Sequence, residues 1–170
     1  QDTANLPDGT HCVTSGMPVR RAFFDHAGPT ATKSKSLHLT VLGGSLGAGI
    51  FADLLPPAIA ALPASLRARL RLTQQCRAAQ IDTVRTTYKA MGVDATVAPF
   101  FDDIPGILAT SHLVIGRAGA SSVAELAAAG KPAILIPLPQ AMDDHQSANA
   151  AQLVAVGGGL CLSEADLTAD

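Results

Sequence analysis

From Leu37 onward the chain alternates short apolar runs with longer stretches of helical spacing. The runs LHLTVLGG (37–44), ARLRLTQQC (68–76), VDATVAPF (93–100), SHLVIGRAG (111–119), KPAILIPLP (131–139) and GGGLCL (157–162) are bounded by turn residues and read as strands. Between them LGAGIFADLLPPAIAAL (46–62), AAQIDTVRTTYKAMG (78–92), DDIPGILATS (102–111), ASSVAELAAAG (120–130) and DDHQSANAAQLVAVG (143–157) carry the spacing of helices. The later strands are apolar on both faces, as strands covered by helices from both sides must be. This alternation predicts an α/β fold, a doubly wound, Rossmann-like parallel sheet of about six strands. Pro56-Pro57 falls inside the first helical stretch and predicts a kink or a restart there.

Residues 1–36 have a different texture, rich in Gly, Pro, Ser, Thr and Asp. They read as a linker entering a domain, with a short strand in HCVTSGMPVRRAFF (11–24) and a turn at Gly16 and Pro18. Residues 37–170 then form the Rossmann-like domain. The chain opens at Gln1 without Met and stops at LTAD, where a helix pattern begins, so it reads as part of a longer protein with its C-terminal helices cut short.

Composition fits this picture. The chain has 170 residues, 48% hydrophobic and 15% charged, enough to build one domain with a buried core. Its net charge of -2 gives no basic field to attract nucleic acid or an anionic membrane. Cys12, Cys76 and Cys161 lie far apart and form no C-x-x-C pair, which suits reduced thiols in the cytoplasm. No apolar run reaches the roughly 18 residues of a membrane span, and no signal peptide is recognisable.

In a doubly wound sheet the ligand crevice lies beyond the carboxyl ends of the strands, where the strand order reverses. Gly44-Ser45, Gln75, Phe100 to Asp103, Arg117 to Ser122 and Pro137 to Gln146 all fall just after apolar runs. Gly43-Gly44-Ser45-Leu46-Gly47 spells G-x-S-x-G, the elbow of serine hydrolases, with Asp143 or Asp144 and His145 as acid and base. Acid and base are nearly adjacent, which makes a line from acid through His to Ser45 difficult to build. The same glycines also suit a turn whose backbone amides, at a helix start, hold an anion. Ser122-Val-Ala-Glu125 has the spacing of a capping box, in which Glu125 folds back on the helix start. Alternatively that carboxylate faces the crevice and accepts hydrogen bonds from the paired hydroxyls of a sugar. In DDHQSANA, Asp144 can cap a helix beside a solvated His145, or Gln146 and Asn149 can read sugar hydroxyls from one helix face. With no second His at the usual spacing and no Cys nearby, a metal is not expected. His11, His26, His38 and His112 are scattered and point to no site.

Three segments, GGSLGA, FFDDIPGILATSHLVIGRAGASSVAELAAAGKPAILIPLP and DDHQSANA, together resemble the MurG family of bacterial glycosyltransferases, within glycosyltransferase family 28. The similarity runs from about Val13 to Leu162 and matches the C-terminal, donor-binding half of a two-domain GT-B enzyme. It implies an inverting transferase that moves N-acetylglucosamine (GlcNAc) from UDP-GlcNAc to lipid I (undecaprenyl-diphospho-muramoyl pentapeptide), making lipid II for peptidoglycan. It also implies no cofactor and no metal, and a cytoplasmic enzyme peripheral on the inner face of the plasma membrane. By motif, Ser45 beside Gly44 contacts the donor diphosphate. Arg20, in GMPVR where the family has GNPVR, lies near the donor, with Met17 replacing the Asn. Phe101 matches the position whose backbone pairs with uracil. Ala120, Ser121, Ser122, Val123, Ala124 and Glu125 match the stretch along the diphosphate and ribose, with Glu125 on the ribose hydroxyls. His145, Gln146 and Asn149 match the part that reads GlcNAc. At TQQCR the family usually has His-Gln-Ser/Thr-Gly; only Gln75 agrees, so Thr73 to Arg77 carry no assigned role. The family's GGTGGH loop, the candidate general base and the membrane-facing acceptor site belong to an N-terminal domain absent from this sequence. The chain is therefore expected to bind UDP-GlcNAc and not to catalyse transfer alone. A serine hydrolase using Ser45, or a related GT-B or nucleotide-sugar-binding module, is the alternative.

Overall fold

The computed structural model describes residues 10, 11, 13, 15–28, 35–44, 49–139 and 144–168. Six strands form one sheet: β1 (Leu37–Leu42), β2 (Leu70–Gln75), β3 (Asp94–Ala98), β4 (Leu113–Gly116), β5 (Ala133–Leu135) and β6 (Gly159–Cys161). Their order is β3-β2-β1-β4-β5-β6, and each neighbouring pair is parallel. The helices are α1 (Ala22–Asp25), α2 (Gly49–Ala61), α3 (Ala64–Arg67), α4 (Ile81–Ala90), α5 (Ile104–Thr110), α6 (Ala120–Ala129) and α7 (His145–Ala155). The expected α/β doubly wound sheet is therefore the one observed, with each apolar run supplying one strand.

Side chains alternate between two cores, one on each face. Along β5, Ala133 and Leu135 enter one cluster while Ile134 and Ile136 pack on the other. Phe51 and Ile59 of α2 and Val84 and Tyr88 of α4 fill the first face; Leu108 of α5, Leu126 of α6 and Ala150 and Leu153 of α7 fill the second. This period of two explains why the strands read as continuous apolar runs.

Packing overrides two local signals here: α2 does not restart at its prolines, and the expected leading strand is not seen among the described residues. α2 runs unbroken through Pro56 and Pro57. Phe51 and Ile59, on either side of the prolines, are buried in the same core, and that packing outweighs the roughly 3 kcal/mol a mid-helix proline costs. In the leading segment no strand forms among the described residues; the chain turns into α1 instead. One helical turn sends Phe23 into the second core at 1% exposure and leaves Phe24 outside, and Arg21 pairs with Asp25 across that turn at 3.6 Å.

The segment is also tied down further along. Gly28 N–H donates to the Ala129 carbonyl at 3.1 Å, and the buried Lys131 Nζ donates to the Gly28 and Ala109 carbonyls at 2.9 and 3.1 Å. Gly130 ends α6 at φ +63, and a Cβ there would come within 3.2 Å of the Gly28 nitrogen, so glycine serves both the turn and the contact.

One buried polar chain crosses the first core. Tyr88 Oη donates to Gln74 Oε1 at 2.6 Å, and Gln74 Nε2 donates to the Phe51 carbonyl at 3.3 Å, with both side chains wholly buried. Replacing Tyr88 by Phe strands a buried amide oxygen, a loss of about 1–3 kcal/mol. Urea unfolding of Tyr88→Phe is expected to show it, and Gln74→Leu added to Tyr88→Phe is expected to recover part of it.

Candidate functional site

The strand order reverses between β1 and β4, so their carboxyl ends frame the crevice. They run close: a Cβ on Gly116 would lie 3.0 Å from the Leu42 carbonyl, its register partner. After β1 the chain turns through Gly43, which is buried, and Gly44 at φ +75. Among the described residues nothing lies within 4 Å of where a Gly44 side chain would point. Ser45, the central residue of both sequence readings, lies outside the described residues, as do Leu46 to Ala48.

After β4 come Arg117, Ala118 and Gly119, then α6. Gly119 is the N-cap; its carbonyl accepts the first helical bond from Val123 N at 3.0 Å, and no side chain caps the helix. The capping box expected from Ser122 and Glu125 is therefore not formed. Because Gly119 starts the helix early, Ser122 already sits in its first turn and Glu125 a turn beyond. Among the described residues no side chain caps the first-turn amides of Ala120, Ser121 and Ser122, and the positive end of the helix dipole lies there, at the strand-order switch. Ala120 and Ser121 are exposed, and Ser122, Val123, Ala124 and Glu125 are partly buried along the same stretch. Partial burial pushes the Glu125 carboxyl above its ordinary value of 4.5, and the charge of Arg20 opposes that rise. Arg20, far away in sequence, is thus an electrostatic neighbour of Glu125, and its guanidinium also lies over the Phe23 ring at 5.1 Å.

The loops beside these complete the rim. Phe100 is 69% exposed and Phe101 partly buried where the chain leaves β3, and Asp103 caps α5 by accepting from Gly106 N at 2.9 Å. At the start of α7, Asn149 Nδ2 donates to the Ala118 carbonyl at 3.0 Å, and Gln146 Oε1 accepts from Leu138 N at 3.0 Å. Both predicted sugar readers are therefore held by loop backbone through one end of the amide. His145 is exposed. Asp144 occupies the N-cap position in the left-handed region at φ 49, and its carboxylate accepts from Ser147 Oγ at 2.6 Å instead of from a backbone amide. Asp143 lies outside the described residues. Among those residues no three His, Cys, Asp or Glu side chains gather as a metal site would require.

Two residues of the rim went unassigned in the sequence. Arg117 donates to the Ile136 and Pro137 carbonyls, both at 3.2 Å, pairs with Glu164 and lies over the Phe51 ring at 5.4 Å. Gln75 bridges Gly43 N at 3.1 Å and the Pro99 carbonyl at 3.3 Å. Only their place after apolar runs singled them out. An apolar hollow lined by Leu126, Lys131, Leu153 and Val156 lies at the opposite, amino end of the strands and has no part in this rim.

The family model of the glycosyltransferase family 28 C-terminal domain matches residues 38–170. The chain belongs to this family. The UDP-N-acetylglucosamine--N-acetylmuramyl-(pentapeptide) pyrophosphoryl-undecaprenol N-acetylglucosamine transferase of Granulibacter bethesdensis is 50% identical over 171 residues, covering 99% of this chain and 44% of that protein. The protein of the same name from Rhodospirillum rubrum is 49% identical, covering 97% of this chain and 43% of its own length. The chain thus spans less than half the length of these curated relatives. The crystal structure of Acinetobacter baumannii MurG superposes with a TM-score of 0.73 at 34% identity, over 84% of this chain and 42% of that one. WaaG, a glycosyltransferase involved in lipopolysaccharide biosynthesis, shares the fold at a TM-score of 0.57 and 18% identity. Membership of family 28 leaves the serine-hydrolase reading of Ser45 without support.

Within this family-28 domain the raised Glu125 proton affinity has a measurable consequence. A carboxyl whose pKa is higher folded than unfolded contributes stability below its unfolded value, and that contribution is lost as pH rises through the folded value. Glu125→Gln, which cannot ionise, is therefore expected to melt above the parent at neutral pH. The gap is expected to close as pH falls through the ordinary glutamate range, in thermal melts recorded across that interval.

Proposed function

We propose that this chain binds UDP-GlcNAc along its carboxyl rim and forms the donor half of an enzyme that glycosylates lipid I. The observation that carries the reading is the uncapped start of α6 at the strand-order switch, with Glu125 one turn further along the helix. A diphosphate suits the uncapped first turn of α6 at Ala120, Ser121 and Ser122 and the glycine turn at Gly44, with Ser45 as the hydroxyl beside it. Val123 and Ala124 continue the same helix beside the ribose, whose hydroxyls Glu125 accepts. Arg20 adds positive charge on that side. The backbone of Phe101 takes the uracil edge, and His145, Gln146 and Asn149 face the GlcNAc hydroxyls. This order of contacts follows the resemblance of the three motifs, and the name that the relatives carry supports the donor and the acceptor.

In the reaction, a muramoyl hydroxyl of lipid I attacks the anomeric carbon of GlcNAc while the bond from that carbon to the UDP oxygen breaks, with inversion. The hydroxyl proton passes to a base in the other half of the enzyme. What this chain supplies is the stabilisation of charge gathering on the leaving diphosphate, by amides and a helix dipole already aimed there. Lipid I and the inner face of the plasma membrane are met through that other half. No helix among the described residues of this chain is long and apolar enough to cross a membrane.

Calorimetry tests the assignment. The chain is expected to bind UDP-GlcNAc, and Glu125→Ala and Ser45→Arg are each expected to weaken binding about tenfold or more, the scale of one lost charged hydrogen bond. Undiminished binding in both variants overturns the site. Incubated with a lipid I analogue, the 170-residue chain is expected to transfer nothing, and turnover would overturn the division of labour. A fluorophosphonate probe is expected to leave Ser45 unlabelled; labelling would return the hydrolase.

A further inference from the structure

Gln75 ends β2, the strand lying between β3 and β1. Its amide reaches both ways: Oε1 accepts from Gly43 N at 3.1 Å and Nε2 donates to the Pro99 carbonyl at 3.3 Å. Gly43 opens the glycine turn, and Pro99 immediately precedes Phe100 and Phe101. The ladder ends just below. Val41 with Gln74 is the last register pair of β1 and β2, Gln75 with Ala98 the last of β2 and β3, and Cys76 N adds one bond to the Ala98 carbonyl at 2.9 Å. Beyond those bonds, the Gln75 side chain ties two loops that backbone pairing no longer joins.

We propose that Gln75 is a positioning residue that fixes the distance between the glycine turn and the aromatic loop, so that a nucleoside and its diphosphate bind as one ligand. The inference rests on the function proposed above, which assigns the diphosphate to the first loop and the uracil to the second. A ligand that touches two loops gains from its own connectedness only if the loops wait at the matching separation. With the tie gone, each loop keeps its own half-site, and the cost falls on the joined ligand alone. The Gln75 bond to Pro99 is exposed and the one to Gly43 partly buried, so in Gln75→Leu water reaches the carbonyl while the Gly43 amide loses a partner at a local cost, and the fold is expected to persist. Gln75→Asn keeps the amide but is one methylene too short to reach both partners.

The test is an NMR titration of the 170-residue chain, unmodified and with Gln75→Leu or Gln75→Asn, using uridine, pyrophosphate and UDP as separate probes, beside thermal melts. Both variants are expected to melt near the parent and to bind uridine and pyrophosphate within about twofold of it. UDP is expected to bind about tenfold more weakly to each, the lost advantage of linkage. Unchanged UDP affinity in either variant overturns the proposal. So does an equal loss for uridine or pyrophosphate alone, which would make Gln75 a local contact, and so does loss of the fold in both variants. If the unmodified chain binds no UDP, the site reading itself fails, an outcome distinct from the others.

Discussion

Parallel strands end in backbone groups that their ladder no longer satisfies, and where two neighbours send their helices to opposite faces no chain crosses to cover the gap. In this structure that place is the joint between β1 and β4, where Gly116 lets the strands pass at close range. The need to satisfy or expose those groups organises the rim. Gly43 hands its amide to Gln75, while the first turn of α6 takes no side-chain cap among the described residues, Gly119 having none to offer. An uncapped helix start is thus what remains when a doubly wound sheet leaves its switch point unfinished.

Around this gap, long polar side chains do the holding. Arg117 fastens the exit of β5 and reaches Glu164, Asn149 holds Ala118, and Gln146 holds Leu138. Arg117 joins the end of β4 to the exit of β5, and Asn149 and Gln146 join the start of α7 to the segments after β4 and β5, so these spacings are set by side chains of fixed length. Charge-assisted and amide bonds of this kind give precision, since stretching any of them by an ångström loses it.

Much of the fold was legible because strand burial leaves a local mark: each of the six apolar runs became one strand, and Gly130 closed α6 as its position suggested. The rim was legible in outline, since it lies after those runs. What escaped was decided by distant partners. Ser122 and Glu125 have the spacing of a capping box, yet Gly119 started the helix first. Pro56 and Pro57 would break a helix in water but not one anchored by Phe51 and Ile59. The leading segment looked extended because nothing near it in sequence announces that Phe23 will meet α6 and α7 residues in the second core. His38 and His112, unremarkable in the sequence, bond through the His112 ring at 3.0 Å. Gln75 and Arg117 bind groups on other strands, and no short window of sequence contains both ends of such a bond.

The clasp of Lys131 on Gly28 has a reach beyond its own neighbourhood. It sits at the far end of α6 from the uncapped amides, a helix of ten residues and so about 15 Å long. The strand of chain it grips is the one that carries Arg20 to Glu125. The positive charge that opposes the rise of the Glu125 carboxyl thus reaches the rim on a segment whose other end is moored at the amino end of the strands. One stretch of chain, held by buried Phe23 and Lys131, belongs to both ends of the sheet.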